Sequence, residues 1–354
     1  MSDHGKIPAI VLGGSGYVAG EFLRLLAQHP QLTIGGVVST SQAGEPVAKT
    51  FPHLTPAFPD TLFVSLDAVI GRLNTAPRWL VLSAAPHGAS AGLIDKLLAA
   101  AASAGTELVV VDASADFRFA DPAAYAAVYG HAHAAPARLA EFTCAVPEQR
   151  PSIETPHAAH PGCFATTMLL GIVPLVSQGL ADEIYVSAVT GSTGAGRTPR
   201  DTTHHPLRQS NLFAYQALKH RHEPEVRMLI KAATGRDVGL HFVPHSGPFA
   251  RGIHATMFLQ AKQRTTASQV NEALREYYRG APFVRVDDEP PKMKDIAATN
   301  YAALHAAVEG DTIVVCSVTD NLLKGAAGGS LQWANRLLGF PEVTGLSAPA
   351  AGWL

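Results

Sequence analysis

The sequence predicts an α/β protein in which a domain built on a parallel sheet precedes a second, α+β domain. In the first third of the chain, short apolar strands alternate with helices, and a glycine-rich turn directly follows the first strand. Strands separated by helices of about a dozen residues form a parallel sheet that helices cover on both faces. After about Cys144 the pattern changes to longer strands, one very apolar helix, and loops rich in Gly, Thr and His. This change predicts a separate α+β domain.

Apolar spacing defines the elements of both domains. Phe22, Leu23 and Leu26 recur at helical spacing directly after a short apolar run that ends in glycines. The first domain is predicted to contain strands Ile7–Leu12, Thr33–Val38, Trp79–Ala84 and Glu107–Asp112, with helices Gly16–Gln28 and Ser90–Ala102. The second is predicted to contain helices Cys163–Val176 and Ser268–Arg279, with strands Glu183–Thr190, Leu240–Val243, Gly252–Gln260, Phe283–Val286 and Thr312–Thr319. A last helix is predicted over Gly325–Leu338.

Composition restricts the classes of function. The 354 residues are 47% hydrophobic and 16% charged, which suits a folded protein of two ordinary domains. A formal charge of −2 and the lack of Lys/Arg runs argue against nucleic acid or a membrane surface as partner. No signal peptide or membrane span is visible, and three cysteines are too few for a disulfide framework. We therefore expect a cytoplasmic protein with Cys144 and Cys316 in its core.

The turn after the first strand predicts a dinucleotide site and a Rossmann-like first domain. Gly14, Gly16 and Ala19 fit the G-x-G-x-x-A pattern. Glycines here let the backbone turn sharply and approach a pyrophosphate, which then lies on the helix N-terminus. A tight turn without a ligand is the alternative reading. The residues predicted to bind the cofactor at this turn are Gly13, Gly14, Ser15, Gly16 and Tyr17.

The end of the second strand favours NADP over NAD. A site that prefers NAD usually places Asp or Glu there to bind the ribose 2′-hydroxyl. This chain has Ser39, Thr40 and Ser41 instead, whose hydroxyls can hydrogen-bond a 2′-phosphate without repelling it.

Cys163 is the candidate nucleophile. It follows Pro161-Gly162 and begins the apolar helix, so the helix dipole and free amides would stabilise its thiolate and an oxyanion on the substrate. A small buried hydrophobe at a helix start is the alternative.

A cysteine nucleophile requires a proton-transfer partner, and His220 and His222 are the best candidates among sixteen histidines. Alternate residues of an extended segment face the same side, so both rings could line one pocket. A solvated polar turn is the alternative. Metal binding ranks below it, because no cysteine or acidic residue at ligand spacing accompanies the pair.

Several arginines near predicted loops could hold substrate anions, because guanidinium matches the geometry of phosphate and carboxylate. For any single one, a surface salt bridge is the competing interpretation. These arginines are Arg118, Arg197, Arg208 and Arg251.

Together these segments resemble the N-acetyl-γ-glutamyl-phosphate reductase family, NADPH-dependent enzymes of arginine biosynthesis, over nearly the whole chain. The most specific matches are His160-Pro161-Gly162-Cys163 and the run Asp320-Asn321-Leu322-Leu323-Lys324-Gly325. The others are Gly13-Gly14-Ser15-Gly16-Tyr17, Ala85-Pro86-His87-Gly88, Ser114-Ala115-Asp116-Phe117-Arg118, Val146-Pro147-Glu148, Gly194-Ala195-Gly196-Arg197, His220-Arg221-His222-Glu223-Pro224-Glu225, Pro244-His245 and Arg251-Gly252.

The resemblance implies an aspartate-semialdehyde-dehydrogenase-like architecture that forms a homodimer or homotetramer. Residues 1–162, completed by the C-terminal helix within 321–354, would form the NADP-binding domain, and residues 163–320 the catalytic and dimerisation domain. Cys163 would be the nucleophile and His220 the general acid/base, with His222 beside it. Asn321 would approach the nicotinamide.

The resemblance also implies a small-molecule substrate and no metal. Arg118 would be a phosphate-binding candidate, and Arg197, Arg251 and His222 further substrate-binding candidates.

Departures from the family pattern leave the substrate's N-substituent open. Ala19 stands where the family commonly has Gly, and Phe164-Ala165 where it often has Tyr-Pro. The loop His204–Arg208 is similar to branches that reduce N-succinyl-glutamyl phosphate or a carrier-protein-linked aminoadipyl phosphate. Two rival functions are aspartate-semialdehyde dehydrogenase and a dinucleotide-binding sensor without catalysis.

Overall fold

The computed structural model describes residues 5–352, which form two compact units. The first contains the chain up to Cys144, Ser152–His160 and Ala327–Ser347. The second contains Ala145–Pro151, Pro161–Ala326 and the chain from Ala348. The predicted division, after residues 162 and 320, differs from these units at both boundaries, and it placed residues 145–151 in the first domain.

Within residues 5–352, each unit contains one seven-stranded sheet. The strands of the first sheet are β1 (Ile7–Leu12), β2 (Leu32–Val38), β3 (Phe63–Val64), β4 (Arg78–Ser83), β5 (Glu107–Asp112), β6 (Phe142–Cys144) and β7 (His157–Ala159). Those of the second sheet are β8 (Glu183–Thr190), β9 (Phe213–Ala214), β10 (Gly239–Ser246), β11 (Ile253–Gln260), β12 (Val284–Val286), β13 (Ala302–Glu309) and β14 (Thr312–Thr319).

The α-helices follow the same division. They are α1 (Tyr17–Leu26), α2 (Val47–Thr50), α3 (Leu66–Ile70), α4 (Ser90–Ala104), α5 (Pro122–Tyr129), α6 (Cys163–Ser177), α7 (His205–Arg208), α8 (His222–Thr234), α9 (Ala267–Tyr277) and α10 (Gly328–Leu337). None of the helices within residues 5–352 combines the length and apolar composition that crossing a bilayer requires.

The first unit is a doubly wound parallel sheet. Its strand order is β3-β2-β1-β4-β5-β7-β6, and every neighbouring pair is parallel. The central strands are buried on both faces, which explains their uninterrupted apolar sequences. The strand order reverses between β1 and β4, where open α/β sheets bind ligands beyond the carboxyl ends of their strands. The α/β prediction is confirmed.

The second unit is a mixed sheet covered on one face by helices. Its strand order is β12-β13-β14-β11-β8-β10-β9. Helix α6 packs against β11 and β14 and against helices α8 and α9. Its residues from Phe164 to Val176 are all buried, so the helix is apolar on every side. On the opposite face of the sheet, Tyr185 and Phe258 are 53% and 45% exposed. That face is the open side of the sheet.

The structure differs from the sequence prediction at several places. Strand β13 and helix α8 were not predicted, and the segment with His220 and His222 is not extended, because His222 begins α8. The last helix begins at Gly328, after a π-helical turn over Leu323–Ala327. Cys144 and Cys316 lie on strands as expected but are half-buried, since β6 is an edge strand and Cys316 lies on the open side of the second sheet.

Candidate active site

The glycine turn of the first unit fits a bound pyrophosphate. Gly13 has a φ of +68°, and a side chain there would overlap the backbone of Ala84. A Cβ added at Gly14 would lie 2.6 Å from Val37 Cγ1. Both positions therefore require glycine. Gly16 is the N-cap residue of α1 and makes no side-chain hydrogen bond to the first N–H groups of the helix. The amide end of α1 therefore has no N-cap side chain in the place where a nucleotide phosphate would bind.

The three hydroxyl residues after β2 divide into one buried and two exposed side chains. Ser39 is 4% exposed, and its N–H donates to Val64 O at 3.2 Å. Thr40 and Ser41 are exposed. These two exposed side chains, just beyond the end of β2, can contact a substituent on the ribose 2′ position.

Arg118 also lies in the first unit, and it is buried. Its Nε donates to His160 O at 3.2 Å and its Nη2 to Ala113 O at 3.0 Å. Asp116, two residues earlier, accepts hydrogen bonds from the N–H groups of Gly88 and Ala91. Arg118 and Asp116 therefore hold the loops at the carboxyl ends of the strands, and phosphate binding by Arg118 stays a prediction.

In the second unit, Cys163 lies at the amide end of α6, where the helix dipole favours a thiolate. Gly162 precedes it, and the Gly162 N–H donates to Glu225 Oε1 at 2.7 Å. Glu225 is fully buried on α8. Thr167 Oγ1 donates to Cys163 O at 2.9 Å. The backbone on both sides of the nucleophile is thus fixed by buried side chains.

The π-helical turn of the second unit packs directly against Cys163. A Cβ added at Gly325 would lie 2.7 Å from Cys163 Cβ, so only glycine fits there. The fully buried Asp320 fixes this turn by accepting the N–H groups of Leu322 and Leu323, both at 2.9 Å. Arg251 donates to both carboxylate oxygens of Asp320, from Nε at 2.8 Å and from Nη2 at 3.0 Å.

Both candidate histidines lie in one aromatic cluster of the second unit. The ring centroids of His220 and His222 are 4.7 Å apart. His220 also lies 5.7 Å from Phe164, the residue after the nucleophile, and 5.4 Å from Phe242. Tyr215 is 5.7 Å from His220 on another side. The structure therefore brings the two histidines and the start of α6 together, although the local geometry is not the one predicted.

The cluster holds His220 and Tyr215 neutral. Burial lowers the pKa of His220 to about 4, and the positive charge of Arg221 adds to the effect. The His222 N–H donates to His220 Nδ1 at 3.3 Å, which assigns the proton of the neutral ring to Nε2. Burial, and then the negative charge of Cys163, raise the pKa of Tyr215 well above its usual range. His220 and Tyr215 are therefore both donors at neutral pH.

The remaining predicted residues of the second unit have separate positions. Asn321 Oδ1 accepts the Gly252 N–H at 2.7 Å, and its Nδ2 donates to Thr193 Oγ1 at 3.0 Å. Asn321 thus ties together two loops at the strand ends. Arg197 is exposed in the loop of residues 191–206. Among the described residues, no group of three or more His, Cys, Asp and Glu side chains could hold a metal ion.

Sequence reasoning assigned no role to Glu225, Asp320, Gly325 or Tyr215. The spacing of the sequence could have indicated Glu225, because it lies three residues after His222 and therefore on the same face of a helix. The contact of Gly325 with Cys163 joins residues 162 positions apart and has no local sequence signal.

Comparisons with known proteins agree with the resemblance. Residues 8–148 match the family described as semialdehyde dehydrogenase, NAD binding domain, and residues 163–321 the semialdehyde dehydrogenase dimerisation domain. N-acetyl-γ-glutamyl-phosphate reductase of Methanopyrus kandleri is 38% identical over 346 residues, 96% of this chain and 97% of that one. The Pseudomonas aeruginosa PAO1 reductase is 39% identical over 348 residues, 96% of this chain and 98% of that one.

Solved structures share the fold at low sequence identity. Aspartate semialdehyde dehydrogenase II of Vibrio cholerae, complexed with ASA, has a TM-score of 0.69 at 16% identity, covering 94% of this chain and 98% of that chain. The Candida albicans enzyme with NADP has a TM-score of 0.66 at 16% identity, with the same coverage of both chains. The predicted fold class is confirmed.

The neutral state of His220 predicts a pH-dependent stability. Its folded pKa of about 4 lies below the unfolded value of about 6.5, so the unfolded chain binds more protons between these pH values. The wild-type chain should therefore lose up to about 3 kcal/mol of unfolding free energy through His220 as pH falls from 6.5 to 4. The His220→Asn chain should lose less. Denaturant titrations across this range measure the difference.

The exposed His205 provides the control for this comparison. His205→Asn should reproduce the wild-type pH dependence, because its ring remains in water in both states. Identical pH dependence of the wild-type and His220→Asn chains would contradict a buried, neutral His220.

Proposed function

The chain belongs to the N-acetyl-γ-glutamyl-phosphate reductase family of semialdehyde dehydrogenases, and on this premise we propose its reaction and the residues that perform it. It reduces N-acetyl-L-glutamyl 5-phosphate with NADPH to the 5-semialdehyde and inorganic phosphate, a step of arginine biosynthesis. The observation that carries the proposal is Cys163 at the amide end of α6, in one unit with a buried, neutral His220.

Cys163 divides the reaction into two easier steps. Its sulfur attacks the acyl carbon, the bond from that carbon to the phosphate oxygen breaks, and inorganic phosphate leaves. The product is a thioester on Cys163. After reduction of the thioester to a thiohemiacetal, the carbon–sulfur bond breaks, the aldehyde leaves and the thiolate is restored. The amide end of α6 stabilises negative charge on sulfur before the first step and after the last.

His220 serves as the proton donor and acceptor of these steps. The His222 N–H donates to Nδ1, so the neutral ring carries its proton on Nε2. This Nε2–H donates to the acyl oxygen and stabilises negative charge there. The Nε2 proton moves toward the acyl oxygen as charge develops there and returns to Nε2 when the carbon–sulfur bond breaks. The ring therefore ends the cycle neutral, as its low pKa of about 4 favours. The backbone N–H of His222 thus positions the His220 ring, whereas the His222 side chain is a proposed substrate contact.

The first unit holds the cofactor. Gly13, Gly14, Ser15, Gly16 and Tyr17 would cradle the pyrophosphate. The exposed Thr40 and Ser41, which follow the buried Ser39, would receive the 2′-phosphate. NADPH supplies the two electrons that reduce the thioester. Asn321 is proposed to contact the nicotinamide, and Arg118, Arg197, Arg251 and His222 to contact the substrate. The steric demand for glycine at Gly13 and Gly14 supports this cofactor assignment.

We also propose that the protein is a cytoplasmic homodimer or homotetramer. None of the three cysteines forms a disulfide within the chain, and a reducing compartment keeps a thiolate nucleophile from oxidation. The second unit matches the dimerisation domain of its family, and the open side of its sheet presents Tyr185 and Phe258 as direct cross-strand neighbours. An exposed aromatic pair on a flat sheet is suited to contact with a second copy.

The substrate is tested with a panel of semialdehydes in the oxidative direction, with NADP and phosphate. We expect turnover of N-acetyl-glutamate semialdehyde to exceed that of N-succinyl-glutamate, carrier-linked aminoadipate and aspartate semialdehydes. Cys163→Ser should lower kcat by at least about 1,000-fold, because a hydroxyl is a far weaker nucleophile than a thiolate. Near-normal turnover of Cys163→Ser, or a preference for another semialdehyde, would overturn the proposal.

Cofactor preference is tested at Thr40. Thr40→Glu places a negative charge where a 2′-phosphate is expected, and should raise KM for NADP by about 10-fold while leaving KM for NAD nearly unchanged. Thr40→Gln is the matched neutral control. Equal effects of Thr40→Glu on both cofactors would argue against 2′-phosphate contact at this position.

Assembly is tested at the open side of the second sheet. Phe258→Asp should shift the mass in light scattering from a multiple of 37.2 kDa toward the monomer, because it places a charge in an apolar contact. Leu62→Glu changes an equally exposed apolar residue of the first unit and should leave the mass unchanged. A wild-type monomer, or an unchanged mass for Phe258→Asp, would refute this interface.

A further inference from the structure

Arg208 carries a buried positive charge without a counter-ion. Its residue is only 9% exposed, and its Nη1 donates to Ser246 Oγ at 2.9 Å. Its Nε and Nη2 are buried and have no hydrogen-bond partner among residues 5–352. Burial lowers the pKa of Arg208, and no acidic side chain opposes this effect. A guanidinium in such a place requires an anion.

The vacant edge of Arg208 is the one that binds carboxylates. Arg251, in the same unit, uses its Nε and Nη2 to hold both oxygens of Asp320. Arg208 has the same pair of donors, and neither has a hydrogen-bond partner among the described residues. The Phe213 ring, whose centroid lies 6.0 Å from the guanidinium carbon, is its aromatic neighbour. The fork of Nε and Nη2 matches two oxygens of a planar carboxylate. At Arg251, the carboxylate of a side chain therefore accepts from the same two donors that, at Arg208, lack a partner within residues 5–352.

A second buried polar atom without a hydrogen-bond partner in the described part of the chain lies on the strand next to Ser246. Ser246 ends β10 and pairs in register with Thr190, which ends the parallel strand β8. Thr190 is 4% exposed, and its Oγ1 is buried without a partner among the described residues. Paired residues of parallel strands lie side by side, so Thr190 and Ser246 together present two hydroxyls near the guanidinium. The strand ends thus form a polar cluster with unused donors.

The cluster lies a short distance along the sheet from the nucleophile. Strand β9 pairs Phe213 with Ser246, and two residues later the Tyr215 N–H donates to Pro244 O. The Tyr215 hydroxyl is the group on which the charge of Cys163 acts. Two strand residues span about 7 Å. The serine that Arg208 contacts therefore lies one step along the strands from the tyrosine whose hydroxyl the nucleophile influences.

We propose that Arg208, with Ser246 and Thr190, forms the subsite for a substrate carboxylate remote from the acyl carbon that reacts. The proposal rests on the acyl-phosphate reduction proposed above and deepens it. The carboxylate is either the α-carboxylate of the amino-acid part or one on its N-substituent. An open cleft lies beside this segment and is lined by Asp201, Thr202, Leu207, Asn211 and Phe213, the last three of which flank Arg208 in the chain.

The test compares substrates with and without the carboxylate. Wild type, Arg208→Gln and Arg208→Lys are assayed with NADP and phosphate on N-acetyl-glutamate semialdehyde, its α-methyl ester, and the N-succinyl analogue. We expect Arg208→Gln to raise KM for the free acid by about 10- to 100-fold, with kcat within about threefold. Esterification should raise the wild-type KM similarly and the Arg208→Gln KM little. Arg208→Lys should recover part of the loss.

Arg227→Gln, on the exposed surface of α8, is the matched control and should behave as wild type. Thermal unfolding separates binding from structure, because loss of an uncompensated buried charge should leave Tm unchanged or raise it. A KM penalty in Arg208→Gln confined to the N-succinyl substrate would support the proposal and assign the carboxylate to the N-substituent.

Two outcomes would overturn the proposal. One is an Arg208→Gln effect on KM for phosphate rather than for the semialdehyde, and the other is a wild-type enzyme indifferent to every substrate carboxylate. If the wild type rejects the N-acetyl substrate, the proposed function fails separately. The acid and ester forms of whichever semialdehyde it accepts then decide the role of Arg208.

Discussion

The contact between Gly325 and Cys163 is the constraint on which the second unit depends. Because the π-helical turn approaches the nucleophile to the limit of atomic contact, its position determines where the thiol can lie. Asp320 fixes the turn through its hydrogen bonds to backbone N–H groups and through Arg251. On the other side, Glu225 holds the Gly162 N–H. A preorganised nucleophile of this kind needs no rearrangement before attack.

Among residues 5–352, two cations of the second unit are paired internally, whereas a third is not. Lys324 and Glu148 form a fully buried ion pair, and Arg251 is matched by Asp320. Such pairs stabilise a fold only when both partners are present, since removing one leaves an isolated charge. Arg208 departs from this rule in the same unit. Because Lys324 and Arg251 each have an acidic partner and Arg208 has none among the described residues, we interpret Arg208 as a ligand site.

Much of the fold could be predicted because its signals are local. The glycine turn, the apolar strands of the first sheet and the start of α6 at Cys163 each follow from a few neighbouring residues, and the family resemblance is confirmed. The error at His220 and His222 arose because His-x-His was interpreted as extended, although Glu223, Pro224 and Glu225 are typical of a helix's first turn. Predicting the pairing of Gly325 with Cys163, or the vacancy at Arg208, requires tertiary structure.

The division of the chain also sets an order for its synthesis. Helix α10 packs against β5 and β7 of the first unit, yet it is encoded after nearly all of the second. The amino-terminal sheet therefore emerges first from the ribosome and is completed last. During that interval its strands β4, β5 and β7 lack the helix that covers them in the finished protein. The nucleotide-binding unit is thus the first to be synthesised and the last to be complete, and its apolar strands stay exposed until α10 is made.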